Sequence, residues 1–600
     1  MIQFRSNRGH QLAKGRLLFE DVPEKPRLSH TAAITLAALA LGAVAYASAG
    51  SINCGIDKLL NSPAKLFIDT PTLPEINIVN LGYASYRGLI NDTVPDVISW
   101  LGIPYAQPPR RFRGAQPFDE TPRKHNVTDA QEYPPFCIQG YSSWLSPNDT
   151  GGAGSENSLY LYLLTFTAED ISPETLVAGE YKFKQKLLLE PKLRQCRPFD
   201  NWILRSPSPF VAVTIYYRLS ILGFLSAPEE PGEGIYEGND PELLLNAGIH
   251  DQRLALRFIQ RHIRSFGGDP ERVTIMGESA GAGAVVLHLA ARSANPASDC
   301  LFRRAVVQSW YRTPFALPAA RKEQWEAVSN SVGCSTNSST VVDTLECLRT
   351  VNPVRLVQAA DDGKKQHSGP LWAWLPVVDG TLFKKNPGSV LRTVPDLDII
   401  VGHTTADSSS SGTPFEAVVN ATYPGLTSDN LETLKAMYTE VGITEENMAE
   451  FGLGEAMFRC GTHFLANLYG PRAHTYRWDE PDPIDPNSAG HASDNYILML
   501  SNGTTEFHAL TPAQRGLSDE TVAYLTSFYA TASPNVVDTS SSTHPVWPTH
   551  SSGKRIVFRA EGGGTGDIQG KPGASFIEKI DRKEAERCKF WNSLVDRIGI

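Results

Sequence analysis

The chain has 600 residues, of which 41% are hydrophobic and 20% charged, and its formal net charge is -10. These proportions are typical of soluble globular proteins and exclude a disordered or collagen-like chain. The negative charge repels phosphate backbones and anionic headgroups, so we expect no nucleic-acid partner.

The N-terminal region has the pattern of a secretory signal. Residues 1–30 are polar and basic, and residues 31–49 form an uncharged, Ala-rich run that ends in small residues suited to signal peptidase. The run is also just long enough to span a bilayer, so two alternatives stay open, a cleaved signal peptide and a type II membrane anchor. Both predict that the following domain is secreted or lies on the extracellular or lumenal side of a membrane.

Sequons and cysteines agree with an oxidising compartment. Six Asn-x-Ser/Thr sequons are candidate glycosylation sites, at Asn91, Asn126, Asn148, Asn337, Asn420 and Asn502. Cys334 and Cys347 flank a polar stretch typical of a small disulfide loop. The pairing stays open for Cys137, Cys196, Cys300, Cys460 and Cys588. No Cys-x-x-Cys pair or His-Glu-x-x-His helix occurs, so we expect no metal site.

Residues 75–595 are predicted to form one large domain of alternating strands and helices. Residues 210–217 are an apolar, β-branched run typical of a strand buried on both faces. An amphipathic helix over 250–265, a second strand over 273–276 and a second helix over 280–291 come next along the chain. Strands joined by a helical crossover indicate parallel pairing, with helices on both faces of the sheet.

A Gly-x-Ser-x-Gly sequence, Gly277-Glu278-Ser279-Ala280-Gly281, lies between the second strand and its helix. A strand-to-helix turn this sharp strains the serine and exposes its hydroxyl, and only small neighbours avoid collisions. The helix directs its positive end at the site, where the Ala280 N–H can bind a developing oxyanion. We predict that Ser279 is a nucleophile; the alternative is a Gly-rich turn that only packs.

Further stretches of the sequence occur in a defined order around this motif, at residues 101–109, 155–157, 159–161, 217–219, 222–224, 251–256, 266–270, 376–380 and 588–591. Together they resemble the type-B carboxylesterase and lipase family, which includes the cholinesterases and many fungal lipases. The resemblance implies an α/β-hydrolase fold with a large, mostly parallel central sheet. It also implies hydrolysis of a small-molecule or lipid carboxylic ester through an acyl-enzyme intermediate, without a cofactor.

The other two members of a catalytic triad come later in the chain, in the order acid, then histidine, in this fold. Residues 397–401 are predicted to form a strand, and Asp407 ends a segment similar to the family segment that ends in the acid, usually Glu. Asp398 is the alternative acid. His491 comes after the predicted strand 473–478 and lies in a stretch similar to the family's histidine loop, so we predict that it is the general base.

The sequence departs from the family at the oxyanion hole. No His-Gly-Gly-Gly segment is present, and the one glycine between Glu156 and Leu222 is Gly179, the candidate second donor. We therefore expect residues 177–186 to be irregular and not to present two N–H groups to Ser279, with reduced turnover. A second departure is Ser158, which replaces the family cysteine that pairs with the equivalent of Cys137, so the loop containing Trp144 is expected to be less constrained.

The resemblance also implies two buried ion pairs, Arg111 with Glu156 and Arg218 with Asp251. Two functions stay open, an ester hydrolase and a cholinesterase-like binding ectodomain whose catalysis is impaired by the missing glycines. The presence of all three triad residues favours the hydrolase. A third interpretation is that residues 165–205 result from an error in the gene model and that the rest is an ordinary hydrolase, which is compatible with the first function. Acyl and alcohol preference and oligomeric state are not readable from the sequence.

Overall fold

The computed structural model describes most of the chain between residues 76 and 599. The described ranges are 76–91, 94–138, 154–166, 174–178, 198–206, 209–229, 234–237, 241–294, 299–335, 339–367, 374–408, 413–481, 487–498, 510–535, 544–560 and 575–599. All of them fall within one unit, Pro63–Ile600. The predicted segments 1–30 and 31–49 lie outside these ranges. None of the described helices combines the length and apolarity that crossing a membrane requires.

Two sheets are present among the described residues. The strands are β1 Ile78–Asn80, β2 Ser85–Arg87, β3 Leu89–Asn91, β4 Val94–Pro104, β5 Val127–Asp129, β6 Tyr160–Phe166, β7 Glu174–Ala178, β8 Phe210–Ile215, β9 Val273–Glu278, β10 Arg304–Gln308, β11 Asp398–Thr404, β12 Ala473–Trp478, β13 Lys554–Phe558 and β14 Phe576–Lys579. The larger sheet has the order β14-β13-β12-β11-β10-β9-β7-β8-β6-β4-β3, and β1, β2 and β5 form a small second sheet. From β13 to β8 every neighbouring pair in the larger sheet is parallel, and antiparallel strands complete both edges.

The two strands predicted around the first helix are parallel, as expected, but they are not neighbours. β7 lies between β8 and β9 and pairs in parallel with both. The sequence pattern did not reveal β7 and predicted that residues 177–186 are irregular, whereas Val177 and Ala178 belong to this regular strand. Residues 179–186, with Gly179, lie outside the described residues.

Helices cover both faces of the larger sheet. Their bounds are α1 Pro198–Arg205, α2 Ser220–Phe224, α3 Ala247–His262, α4 Ala280–Ala294, α5 Lys322–Ser331, α6 Val341–Thr350, α7 Pro353–His367, α8 Pro387–Val390, α9 Phe415–Thr422, α10 Ser428–Glu440, α11 Glu445–Gly454, α12 Cys460–Tyr469, α13 Ser493–Leu498, α14 Pro512–Thr531, α15 Arg582–Ser593 and α16 Val595–Ile598. A π-helical turn, Glu455–Arg459, joins α11 to α12. The predicted helix 250–265 begins earlier, as α3, and continues as a 3₁₀ turn, Ile263–Phe266.

Alternate residues of the central strands contribute to two hydrophobic cores. Val211 and Val213 of β8 pack in the cluster that contains residues of α3 and α4. Phe210 and Ala212 of the same strand pack in the cluster that contains residues of α14. Successive side chains of a strand point to opposite faces, so strands that are apolar on both faces are covered on both faces.

The described residues contain the predicted disulfide between Cys334 and Cys347 and a second one between Cys460 and Cys588. Arg218 and Asp251 form a buried ion pair, with a shortest distance of 2.7 Å. The Arg111–Glu156 pair is also formed, at 2.6 Å, but 30% of the Glu156 side chain is exposed. This second pair is therefore not fully buried.

The sequons fall partly within the described residues. Asn126 and Asn420 are exposed, and Asn91 ends β3. The remaining three sequon residues, Asn148, Asn337 and Asn502, lie outside the described residues, as does Trp144. Ser158 stands where the family resemblance implies a cysteine bonded to the equivalent of Cys137. Its Oγ lies 2.9 Å from Cys137 Sγ, and both residues are buried.

Candidate active site

The nucleophile candidate lies at the turn between β9 and α4. Ser279 has a φ of 57°, a left-handed conformation that is strained for a residue with a side chain. A Cβ on Gly277 would lie 2.4 Å from the Gly281 backbone, so glycine is required there for the helix to approach the strand. The Ser279 N–H donates to the Gln308 carbonyl of β10 at 2.9 Å, which holds the turn against the neighbouring strand.

Three side chains from three strand ends form one hydrogen-bonded chain. His491 Nε2 lies 2.7 Å from Ser279 Oγ, and His491 Nδ1 lies 2.7 Å from Asp407 Oδ1. Ser279 comes after β9, Asp407 after β11 and His491 in the connection after β12, so the carboxyl ends of parallel strands converge here. With the Nδ1 proton directed at Asp407, the Nε2 lone pair faces the serine hydroxyl, as proton transfer from the hydroxyl requires.

Asp407 is held by two donors on its second oxygen. The Thr404 N–H donates to Oδ2 at 2.8 Å and the Ser309 hydroxyl at 3.1 Å. The alternative acid, Asp398, is at the other end of β11 and accepts two hydrogen bonds from Arg472. The structure therefore brings Asp407, and not Asp398, to His491.

A second carboxylate reaches the histidine from the nucleophile motif itself. Glu278 is 3% exposed, and its Oε1 lies 3.2 Å from His491 Nε2. Burial disfavours the imidazolium, but Glu278 first and Asp407 next outweigh this effect and raise the pKa of His491 to about 9. A base flanked by two carboxylates accepts a proton more readily than an isolated imidazole.

Asp494 attaches the loop that contains His491 to neighbouring strands. Its Oδ2 accepts hydrogen bonds from Gln308 Nε2 and from the Tyr476 hydroxyl, both at 3.0 Å. Burial, with a further contribution from Asp407, raises its pKa to about 6 although these hydrogen bonds favour the charged form. Asp494 lies in the first turn of α13, three residues after His491, and its bonds attach the histidine loop to β10 and β12.

Glu278, Ser309 and Asp494 were not predicted from the sequence as functional residues. Glu278 lies inside the predicted motif, and Asp494 in the predicted histidine loop, so a signal was present for both. Ser309 has no sequence signal beyond its place after β10, where its φ of 49° is set by the fold.

The oxyanion side of the site is described only in part. Ala280 is the first residue of α4, so its N–H is one of the four that have no acceptor within the helix. Ala178, the last residue of β7, pairs with Met276, three residues before Ser279. The strand order thus places the end of β7 beside the nucleophile strand, while Gly179 itself is outside the described residues.

No metal site accompanies these groups in the described part of the chain, because no three His, Cys, Asp or Glu residues there are arranged to hold an ion. The described side chains include a hydroxyl, an imidazole and carboxylates, which are groups able to transfer protons and, for the hydroxyl, to act as a nucleophile.

The chain has relatives among known proteins. The model of the carboxylesterase family matches residues 75–591. Acetylcholinesterase of Bungarus fasciatus is 32% identical over 325 residues, which cover 52% of this chain and 49% of that protein. Neuroligin-2 of Mus musculus is 29% identical over 360 residues, which cover 54% of this chain and 41% of that protein. The matched region thus spans about half of these curated relatives or less.

A solved structure extends the likeness to the whole fold. Aspergillus niger EstA superimposes with a TM-score of 0.68 and 25% sequence identity, covering 87% of this chain and 99% of that chain. Because the family model also matches most of the sequence, the chain has the α/β-hydrolase fold and belongs to the carboxylesterase family.

Proposed function

We propose that the protein hydrolyses carboxylic esters through an acyl-enzyme intermediate, with Ser279 as nucleophile, His491 as general base and Asp407 as the orienting acid. The observation that carries this proposal is the continuous chain of two 2.7 Å hydrogen bonds from Ser279 through His491 to Asp407. Family membership supports an ester substrate. The relatives are named both as cholinesterases and as thyroglobulin, so similarity alone does not decide whether this chain is an enzyme, and the proposal relies on the geometry of the site.

The geometry implies a definite sequence of steps. Ser279 Oγ attacks the ester carbonyl while its proton passes to His491 Nε2, and the Ala280 N–H faces the developing oxyanion. The tetrahedral intermediate collapses to an acyl-serine, and the leaving alcohol takes the proton from His491. Water then repeats the attack through His491, releases the carboxylic acid and restores the serine hydroxyl.

The nucleophile is tested by Ser279→Ala. Hydrolysis of a nitrophenyl ester should fall to background, and a fluorophosphonate probe that labels the parent protein should no longer label the variant. An unchanged circular dichroism spectrum would show that the variant is folded. Turnover equal to the parent's would reject the assignment.

The acid is tested by a matched pair of substitutions. Asp407→Asn should lower kcat by a factor of about 10⁴, because the asparagine side chain no longer selects the productive imidazole tautomer. Asp398→Asn removes the ion pair with Arg472 at the distant end of the same strand and should leave kcat within a factor of about 2. Equal losses in the two variants would show that Asp407 has no special role.

The second candidate function is a binding ectodomain with impaired catalysis. It is favoured by the absence of a His-Gly-Gly-Gly segment anywhere between Glu156 and Leu222. If the parent protein folds and binds a fluorophosphonate probe slowly or not at all, this second function is supported. Probe labelling at rates typical of serine esterases supports the first.

We also propose that the protein acts in the secretory pathway on a small-molecule or lipid ester, free or anchored through residues 31–49. The disulfides Cys334–Cys347 and Cys460–Cys588 and the exposed sequon residues Asn126 and Asn420 support an oxidising compartment. Endoglycosidase treatment of protein from a eukaryotic host should increase its electrophoretic mobility. Loss of residues 1–30 and 31–49 from the mature N-terminus would indicate cleavage rather than anchoring.

A further inference from the structure

A π-helical turn interrupts the long helical segment beside the active site. α11, residues Glu455–Arg459 and α12 succeed one another without a break, and the Cys460 N–H donates to the Glu455 carbonyl five residues earlier. This wider turn accommodates one more residue than an α-helical turn and is rare, because its hydrogen-bond geometry is less favourable. Its presence requires stabilising contacts from the surrounding structure.

Such contacts are present on both sides of the turn. Glu455 is fully buried and accepts hydrogen bonds from Arg587 of α15 at 3.0 and 2.8 Å. The residue directly after the turn, Cys460, forms the disulfide with Cys588 of the same helix. Glu455 and Cys460 are thus both fixed to α15, and their positions determine where the side chains between them point.

The turn directs Phe458 at the catalytic histidine. Phe458 is 4% exposed, and its ring centroid lies 4.7 Å from that of His491 with an interplanar angle of 43°. Tyr311, which comes after β10, also packs on Phe458, with the ring centroids 5.7 Å apart. Since both nitrogens of His491 are engaged by Ser279 and Asp407, Phe458 contacts the ring rather than competing for its hydrogen bonds.

A benzene ring whose centroid lies 4.7 Å from that of an imidazole interacts differently with the two protonation states of the imidazole. The face of a benzene ring carries negative potential and attracts a cation that lies close to its centroid. In the proposed reaction His491 becomes an imidazolium when it takes the Ser279 proton. Phe458 is therefore placed to stabilise the imidazolium that forms when the neutral His491 takes the Ser279 proton.

The other groups that act on His491 are the carboxylates of Glu278, Asp407 and Asp494, which also favour the imidazolium. Arg459, on the π turn itself, lies 3.8 Å from Glu455 and donates to the Thr405 carbonyl, so its charge is engaged away from the histidine. The ring of Phe458 adds to the carboxylates without introducing a competing hydrogen-bond acceptor.

We propose that Phe458 is a positioning residue that holds the His491 imidazole and stabilises its protonated form, and that the π turn exists to present this ring. The proposal rests on the proposed ester hydrolysis for its catalytic part. The contact with the imidazolium does not depend on turnover, and it can be measured separately.

Two changes at residue 458 separate ring electrostatics from packing. Phe458→Leu removes the ring, whereas a ring-fluorinated phenylalanine introduced at residue 458 keeps the shape and weakens the negative face. Phe464→Leu is the matched control, because Phe464 is a half-buried aromatic residue of α12 that packs on Trp310 at 6.3 Å. Each variant is titrated by NMR of labelled histidine, with His491→Gln used to assign the signal, and kcat and KM are measured with a nitrophenyl ester.

Both changes at residue 458 should lower the pKa of His491 by about half a unit. On the pH plateau above the pKa of His491, where the base is neutral, both should lower kcat by a factor of about 3 or more and leave KM within a factor of about 2. Phe464→Leu should change neither quantity. If Phe458→Leu does not fold, the isosteric fluorinated variant decides.

An unaltered histidine titration in the fluorinated variant would overturn the proposal, as would an equal shift in Phe464→Leu. A parent protein without esterase activity would count against the proposed function and not against this contact, because the NMR titration would still report it.

Discussion

At the scale of single residues, the protonation of His491 is set by the carboxylates around it. The pKa of about 9 exceeds the ordinary value of 6.5, so the folded chain holds this proton more tightly than the unfolded chain. The stability contributed by the attraction between the His491 imidazolium and these carboxylates is therefore fully present below pH 6.5 and is lost as the pH rises through 9. In the proposed reaction the same pKa shift sets the pH dependence of turnover, because the base must be neutral to accept the Ser279 proton.

The residue that most affects this balance is Glu278. Replacing it by Gln removes the carboxylate 3.2 Å from Nε2, so the rising limb of the pH profile of kcat/KM should move to lower pH by about one unit. The plateau kcat should fall, because the imidazolium of the transition state loses a partner. Glu271→Gln, at an exposed ion pair with Arg303, is the control. A profile identical to the parent's would show that Glu278 does not act on His491.

At the scale of elements, the position of β7 bears on the expected oxyanion hole. Ala178 pairs with Met276, so β7 ends beside the part of β9 that leads to Ser279. Val177 and Ala178 both pair with the strands on either side of β7. Residues 177 and 178 are therefore not expected to supply oxyanion donors in addition to the Ala280 N–H.

Replacing residues 179–182 by His-Gly-Gly-Gly should raise the turnover of a nitrophenyl ester by a factor of about 10² or more. The physical reason is that glycine lets rigid backbone N–H groups approach the developing charge closely. The same replacement in a Ser279→Ala background should give no activity, which excludes a contaminating esterase. A parent protein that already matches ordinary relatives in turnover would show that other groups supply the donors.

At the scale of the whole molecule, buried charge holds the sheet to its helices. The Arg218–Asp251 pair connects the end of β8 to α3, and its side chains are 4% and 0% exposed. Asp251→Ala would leave the guanidinium buried without its counter-ion and should lower the free energy of unfolding by about 3–5 kcal/mol. Asp129→Ala, which breaks an exposed pair with Arg87, should cost less than about 1 kcal/mol. Equal losses in urea denaturation would contradict this account.

A second consequence at this scale is a pH-dependent stability. Burial raises the pKa of Glu520 from 4.5 to about 7, although a hydrogen bond from Ser575 opposes the shift. Because the folded chain binds this proton more tightly, stability from the protonated group is greatest below pH 4.5 and declines as the pH rises through 7.

Glu520→Gln should therefore raise the free energy of unfolding by about 1–3 kcal/mol at pH 8 and leave it nearly unchanged at pH 4. The exposed neighbour Asp519, paired with Arg205, provides the control substitution Asp519→Asn. Thermal melts at the two pH values measure the difference. Destabilisation by Glu520→Gln at pH 8 would show that the carboxylate is charged and satisfied in the folded protein.

The sequence by itself determined the local chemistry of this protein. The apolar, β-branched runs at β8 and β9 and the small residues around Ser279 follow from steric and periodic rules that act over a few residues. Asp407 and His491 were predicted from the resemblance to the family. Alternating strands and helices indicated a parallel sheet, and the resemblance implied the α/β-hydrolase fold that the chain has. The proposed trio does meet in space.

The tertiary structure alone decided which strands are neighbours and which distant groups meet. β7 carries too weak a local pattern to be recognised, yet pairing on both sides inserts it between β8 and β9. Glu278 reaches His491, Ser309 reaches Asp407, and Phe458 reaches His491 only because parallel strands end together and α15 fixes the π turn. Contacts between residues far apart in the chain depend on packing of the whole sheet, and no periodicity within a short window encodes them.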